Sequence, residues 1–307
     1  MIVVYAKRAR GPAVTGRDWV YLLGLSALWG SSYLFIKIAV DGHLAPAELV
    51  FVRLVLATAV LYLVARLQGL RLPRDRRVWR SFAIMGLVGT ALPFLLISWG
   101  ETTLDSSLAA VLNATVPIAT VLLSHYWTRQ ERLTPSRIVG LLAGFLGVVI
   151  VVGNVSFHAV GGMGALGVAA LLLSSLCYGV SAIFARGAFG GVAPVVASMG
   201  QMLCGALYTA IPGTISALAE RQAPRVGAVA AMVALALLGT VGAYLLYYRL
   251  IARVGATRTT TSTYLLPAFA VVYGALFLHE SVTPRLLAGF ALILLGIAFV
   301  TRRVTSV

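Results

Sequence analysis

Few side chains in this sequence could carry out covalent or metal chemistry. Its 307 residues include nine carboxylates, four histidines and two cysteines. The sequence contains none of the metal-binding, phosphate-binding or nucleophile motifs that are typical of enzymes. The histidines lie in loops or at the ends of apolar runs, whereas Cys177 and Cys204 lie inside such runs, as small core residues do. We therefore expect a protein that is not an enzyme and that needs neither a metal ion nor an organic cofactor.

Two cations are unusual because they lie within apolar runs. Lys37 and Arg53 each fall within about two helical turns of the end of such a run. If the runs cross a membrane, long cationic side chains so placed can extend to its surface by snorkelling. An ionisable group within a membrane is also a functional candidate. In that alternative, Lys37 or Arg53 binds a substrate carboxylate or forms part of a gate.

Polar and aromatic residues also recur at helical spacing on the apolar runs. The faces that carry them predict a substrate pathway formed by Trp29, Ser32, Phe94, Asn113, Thr120, Tyr178, Ser181, Tyr244 and Thr263. A cavity with aromatic walls and a few hydroxyl groups suits a zwitterion with a variable, often apolar, side chain. Close packing of helices is the alternative explanation for the same faces. Pro117 and Pro267 each remove a backbone hydrogen bond and are predicted to kink their helices.

The composition identifies the elements that must position these residues. Apolar residues make up 60% of the chain and charged residues only 11%, against roughly 45–50% and about 25% in soluble domains. A membrane-spanning helix takes about 20 apolar residues, and ten such runs are present. Their approximate limits are 19–40, 45–66, 78–99, 105–125, 134–153, 162–186, 192–216, 226–250, 257–278 and 283–302. The sequence therefore predicts an all-α integral membrane protein with ten transmembrane helices.

The charge distribution predicts the orientation of these helices. The net charge of +15 comes from 24 Lys and Arg residues, of which 19 lie in the terminal segments or in the connections after even-numbered runs. The opposite connections carry only Arg221, Arg225 and Arg285. Because cytoplasmic loops are enriched in Lys and Arg, residues 1–18 and 304–307 are expected in the cytoplasm. The basic excess is thus explained by the membrane, and a nucleic acid partner is not expected.

An internal repeat divides the chain into two halves. Glu131, with Thr134-Pro135, recurs 149 residues later as Glu280, with Thr283-Pro284, and Gly89-Thr90 recurs 150 residues later as Gly239-Thr240. Residues 19–153 and 154–303 would each hold five helices. Since five is odd, the halves must have opposite topology in the membrane. Inverted repeats around a central site are typical of secondary transporters that work by alternating access.

The motifs that repeat also resemble a known family. Trp29-Gly30-Ser31-Ser32, Pro46, Pro117 and the Thr-Pro pairs, each followed by two glycines, are similar to EamA domains of the drug/metabolite transporter superfamily. Within that superfamily the chain looks most like the bacterial YddG-type aromatic amino acid exporters.

The resemblance implies export of amino acids, neutral and aromatic ones included, and of related metabolites across the bacterial inner membrane. It implies a central cavity lined by helices 1, 3, 4, 6, 8 and 9. Export of drugs or other small metabolites is an alternative within the family. A polytopic receptor or structural membrane protein is an alternative from another class, although symmetric halves count against it.

Three further expectations concern coupling, structure and assembly. All nine carboxylates fall in loops or at helix ends, whereas proton-driven carriers place a titratable group deeper. We therefore expect substrate to move down its own gradient. Glu131 and Glu280 are expected to favour the N-terminus of the helix that follows each of them. Gly140, Gly144 and Gly147 form a ridge of small residues that predicts packing within the chain, so that a monomer is favoured over a dimer. The expected partners are a small-molecule substrate and the lipid bilayer.

Overall fold

The computed structural model describes residues 15–128, 134–152, 163–189, 191–220, 222–254, 259 and 262–301. These residues form ten helices: α1 (Gly16–Asp41), α2 (Pro46–Leu67), α3 (Arg76–Gly100), α4 (106–128), α5 (Pro135–Val152), α6 (Met163–Ala188), α7 (Pro194–Ala219), α8 (226–254), α9 (Ser262–Phe277) and α10 (Pro284–Thr301). By length and composition eight of them could cross a membrane, and α9 and α10 are shorter apolar helices. The prediction of an all-helical membrane protein is confirmed. Some of the predictions fall outside the described residues. They concern most of the segments 1–18 and 304–307, the boundary between the halves, and Glu131.

The helices begin where local sequence favours a helix start. Proline occupies the first position of α2, α5, α7 and α10, where its missing N–H would be unpaired in any case. The second and fifth helices of each half therefore start in the same way. In α1 and α3, the side chains of Thr15 and Asp75 instead accept hydrogen bonds from the first turn.

Three helices are irregular near their middle. Wider π-helical turns occur at Leu87–Ala91 in α3 and at Leu235–Gly242 in α8, and both contain the repeated Gly-Thr pair. Helix α4 is interrupted at residues 114 and 115, just before Pro117, whose ring cannot fit against the preceding turn. Helix α9, in contrast, continues through Pro267 without interruption. The two predicted proline sites therefore differ.

Packing pairs each helix with a helix from the other half. Helix α1 packs on α8 and α9, and the equivalent α6 packs on α3 and α4. Helix α2 packs on α7, and α5 packs on α10. The contacts are matched at the residue level, because Gly239 lies against the hydroxyl of Ser32, and Gly89 lies against that of the equivalent Ser181. The inverted five-helix repeats thus form one interlocked bundle.

The ridge of small residues on α5 packs within the chain, as predicted. A Cβ atom added to Gly147 would lie 2.7 Å from the carbonyl oxygen of Gly289 on α10. A Cβ added to Gly296 on α10 would lie 2.6 Å from the carbonyl oxygen of Gly140. The backbones of α5 and α10 can approach this closely only because glycine occupies facing positions on both helices.

Candidate functional site

The side chain of Arg53 is directed into the bundle. It is 4% exposed, because α2 packs against α7, α8 and α3 along that face. Its Nε donates a hydrogen bond of 2.8 Å to the Thr240 hydroxyl, and its guanidinium carbon lies 3.9 Å from the centroid of the Phe94 ring. Since the side chain does not reach the surface, snorkelling does not explain this arginine.

The charge of Arg53 is balanced by dipoles and rings rather than by an anion. No carboxylate among the described residues forms an ion pair with it. The Phe94 ring provides a cation–π contact, and the Thr240 hydroxyl accepts a hydrogen bond from Nε. A buried cation without a counterion is costly. The arrangement is therefore suited to an anion that enters from outside the chain.

Aromatic rings from both halves meet close to this arginine. The ring centroids of Trp29 on α1 and Tyr244 on α8 are 6.4 Å apart, and that of Tyr247 lies 5.4 Å from Trp29. The sequence predicts Tyr247 and Tyr248 at the membrane interface, and the half-buried ring of Tyr247 packs against Trp29. The Tyr248 side chain lies outside the described residues.

Asn113 joins three helices at the point where α4 is interrupted. Its Nδ2 donates to the Tyr33 hydroxyl on α1 at 2.7 Å. Its Oδ1 accepts from the hydroxyl groups of Ser175, at 3.0 Å, and Ser174, at 3.3 Å, on α6. The side chain thus links the first helices of the two halves.

Two of the other predicted pathway residues, Ser32 and Ser181, lie at contacts between helices. Ser32 and Ser181 are both 8% exposed and lie against the glycines of the π-helical turns. The Thr120 hydroxyl donates to the Val116 carbonyl within its own helix, and Thr263 is half-buried. For Ser32 and Ser181 the structure favours the packing explanation.

Sequence reasoning missed Tyr33, Ser174 and Ser175. Tyr33 lies midway between Trp29 and Lys37, at intervals of four residues, and therefore shares their helix face. That signal was available in the sequence, whereas nothing in the pattern distinguished the two serines.

Lys37 lies at one end of the bundle, which we call the Lys37 end. Its Nζ lies 3.1 Å from Oδ1 of Asp41 and donates a hydrogen bond of 3.0 Å to the backbone carbonyl of Glu101. The side chain of Lys37 is 16% exposed. It therefore joins α1 to the end of α3 rather than facing the centre of the bundle beside Arg53.

Two carboxylates at the Lys37 end differ from the expectations. Glu101 follows α3 directly, at a helix end as expected, yet it is completely buried. Glu280 binds α4 rather than α10, because its carboxylate accepts hydrogen bonds from the backbone N–H groups of Ser106, at 2.7 Å, and Ser107, at 2.9 Å, and from the Ser107 hydroxyl. Its role at a helix N-terminus is thus structural, as expected, but the helix belongs to the other half of the chain.

The opposite end, which we call the Asp18 end, is joined by an ion pair between halves. Nε of Arg253 on α8 lies 2.8 Å from Oδ1 of Asp18 on α1. Asp18 also accepts hydrogen bonds from the N–H and hydroxyl groups of Thr15. Each end of the bundle therefore holds a polar contact between α1 and another helix.

Two interlocked five-helix halves with a cation and aromatic rings between them define a polytopic membrane transporter. Residues 19–153 and 165–302 each match the EamA-like transporter family, and the chain belongs to that family. The family consists of transporters rather than enzymes.

Relatives of similar length are also transporters. An uncharacterized transporter of Archaeoglobus fulgidus is 27% identical over 94% of this chain and 99% of its own length. A protein of Streptantibioticus cattleyicolor named "Probable terminal-alkyne amino-acid exporter" is 28% identical over 93% of both chains. The uncharacterized inner membrane transporter YedA of Escherichia coli is 27% identical over 82% of this chain and 80% of its own length.

A solved crystal structure shares the fold, with a TM-score of 0.63 and 21% identity over 93% of this chain and 96% of that one. The relatives and the fold agree on a multi-pass membrane transporter for a small molecule.

Proposed function

We propose that this protein is a secondary transporter that exports neutral amino acids, aromatic ones included, and related metabolites from the cytoplasm. The observation that carries the proposal is the buried Arg53. A guanidinium group presents paired N–H donors that match the two oxygens of a carboxylate. An amino acid would therefore supply the counterion that the described residues do not.

The surroundings of Arg53 suit the rest of such a substrate. Phe94, Tyr178 and Tyr244 offer apolar ring surface together with hydroxyl groups, and Trp29 packs on Tyr244. Aromatic walls accept side chains of many shapes, with the strongest gain for other rings. The name of the Streptantibioticus relative supports the same substrate class.

The inverted repeats supply the route for movement. Exchange of conformation between residues 19–153 and 154–303 would open the Asp18 end and the Lys37 end in turn. The excess of Lys and Arg at the Asp18 end supports a cytoplasmic location for that end. Substrate would then enter at the Asp18 end and leave at the Lys37 end.

The test is uptake by proteoliposomes that contain the purified protein, with a panel of amino acids, sugars, nucleotides and cationic drugs. We expect uptake of neutral amino acids and a loss of at least about tenfold in Arg53→Gln, because one charge-assisted contact contributes about 1.5–3 kcal/mol. Arg66→Gln, at an exposed arginine on the same helix, is the matched control and should stay within about twofold of wild type. Uptake confined to drugs or to nucleotides, or equal loss in both variants, would contradict the proposal.

A further inference from the structure

The carboxyl group of Glu101 is buried where an ionised carboxylate would need a hydrogen-bond or ion-pair partner. Glu101 is completely buried, and among the described residues neither of its Oε atoms has a hydrogen-bond partner. An isolated carboxylate removed from water is strongly destabilised unless it is paired or protonated. The protein around Glu101, rather than lipid, excludes the water, since Gly100 packs on Gly167 and Leu171 of α6.

The nearby charges do not provide the missing partner. The ionisable groups that act on Glu101 are Lys37 and Asp41 from α1, Arg53 from α2, and Glu280 from the connection between α9 and α10. Lys37 already binds Asp41 and the backbone carbonyl of Glu101, and Arg53 binds Thr240. Asp105 lies in the same connection as Glu101, and the first three turns of α6 contain no ionisable residue.

Burial raises the pKa of the Glu101 carboxyl well above its ordinary value. The Lys37 ammonium lowers this pKa, whereas the negative charges of Glu280 and Asp41 raise it further. Burial, followed by Glu280, also raises the pKa of Asp105. The electrostatics and the missing hydrogen bonds therefore agree that the neutral acid fits this position better than the carboxylate.

We propose that Glu101 is a proton-binding site, occupied while the Lys37 end is closed and emptied when that end opens to water. On opening, the O–H bond of the carboxylic acid breaks, the proton passes to water, and the hydrated carboxylate remains beside Lys37. The proposal rests on the proposed function only in requiring that the Lys37 end opens and closes. The proposal concerns pH control of opening, and the expectation that substrate moves down its own gradient stays a prediction.

Protonation of Glu101 and closure of the Lys37 end favour each other. The closed conformation binds the proton more tightly than the open one, so acid favours closure and alkali favours opening. For one proton, the ratio of open to closed molecules changes by up to about tenfold per pH unit between the two pKa values. Release of the proton to the solution at the Lys37 end would thus accompany each opening.

Infrared spectroscopy of the full-length protein in lipid tests proton binding without any transport measurement. We expect a protonated-carboxyl C=O band near neutral pH in wild type and a loss of that band in Glu101→Gln. Glu220→Gln, at an exposed carboxylate of the same end, should retain it. A band that is absent from wild type, or unchanged in Glu101→Gln, would overturn the proposal even if amino acid uptake were found.

Chemical labelling tests the link to opening. Ser106 is completely buried at the Lys37 end, and its hydroxyl has no partner among the residues that the structure describes. Ser106→Cys in a background of Cys177→Ala and Cys204→Ala therefore reports on access. We expect the rate of reaction with an impermeant maleimide, corrected for the pH dependence of a free thiol, to rise with pH by up to about tenfold per unit. The same rate should be slow and independent of pH once Glu101→Gln is added. An equal pH dependence with and without Glu101 would show that another group controls opening.

Discussion

At the scale of single residues, the polar groups of the interior join helices from both halves. Arg53 of the first half binds Thr240 of the second, and Asn113 binds serines on α6. Buried polar groups are well tolerated only while their partners are present. Such side chains therefore hold the halves in register and also line the space between them.

Replacement of Asn113 by alanine should test this role. The change leaves the Tyr33 hydroxyl without its Asn113 partner, whereas Ser174 and Ser175 keep their bonds to the Leu171 carbonyl. An unpaired buried group of this kind costs about 1–3 kcal/mol. We expect Asn113→Ala to lower the free energy of unfolding by this amount, measured by tryptophan fluorescence in mixed micelles. Thr58→Val removes only a hydroxyl bonded to the carbonyl of Leu54 in its own helix, so it should change stability little. Equal stability of Asn113→Ala and wild type would contradict the role.

At the scale of helices, the position of small residues decides which pairs approach closely. The α5–α10 contact and the contacts of Ser32 and Ser181 with the π-helical turns all depend on glycine. Between helices in a membrane, such close packing replaces much of the hydrophobic driving force available in water. The glycine pattern therefore determines helix partners more than hydrophobicity does.

Valine at position 147 should disturb the α5–α10 pair. Its side chain would collide with the backbone of Gly289 and with Ile293, and overpacking typically costs about 1–3 kcal/mol. We expect Gly147→Val to unfold at lower denaturant concentration than wild type. Gly227→Val is the control, because a Cβ there meets no atom within 4 Å. If both variants were equally stable, the close approach of α5 and α10 would not contribute to stability.

At the scale of the whole molecule, the two ends of the bundle are chemically different. The Asp18 end carries most of the arginines, whereas the Lys37 end carries Glu101, Glu280 and Asp41. Because cytoplasmic loops are enriched in Lys and Arg, we expect the Asp18 end to face the cytoplasm. The same difference leaves the proposed proton site at the end from which substrate would be released.

Reporter fusions test this orientation. A phosphatase fused after Val307 should be inactive because we expect that end in the cytoplasm, and a β-galactosidase at the same point should be active. A phosphatase inserted in the connection 153–162 should be active outside. An active phosphatase after Val307 would contradict the inverted arrangement of two five-helix halves with cytoplasmic ends.

The number, type and approximate limits of the helices followed from the sequence because lipid requires long apolar runs with internally bonded backbones. The repeat at an offset of 149–150 residues also indicated which helices would be equivalent. The π-helical turns were not predicted, because a Gly-Thr pair is compatible with an ordinary helix.

Only the tertiary structure decided the environment of individual charges. Lys37 and Arg53 occupy similar positions along their helices, yet one binds Asp41 at the bundle end and the other is enclosed between halves. Glu101 and Glu220 each follow a helix directly, yet one is completely buried and the other is exposed. The position of a residue along its helix determines its depth in the membrane. Its burial depends instead on which helices of the other half pack on the face that carries it. That packing brings together residues more than 100 positions apart in the chain, which no local pattern records.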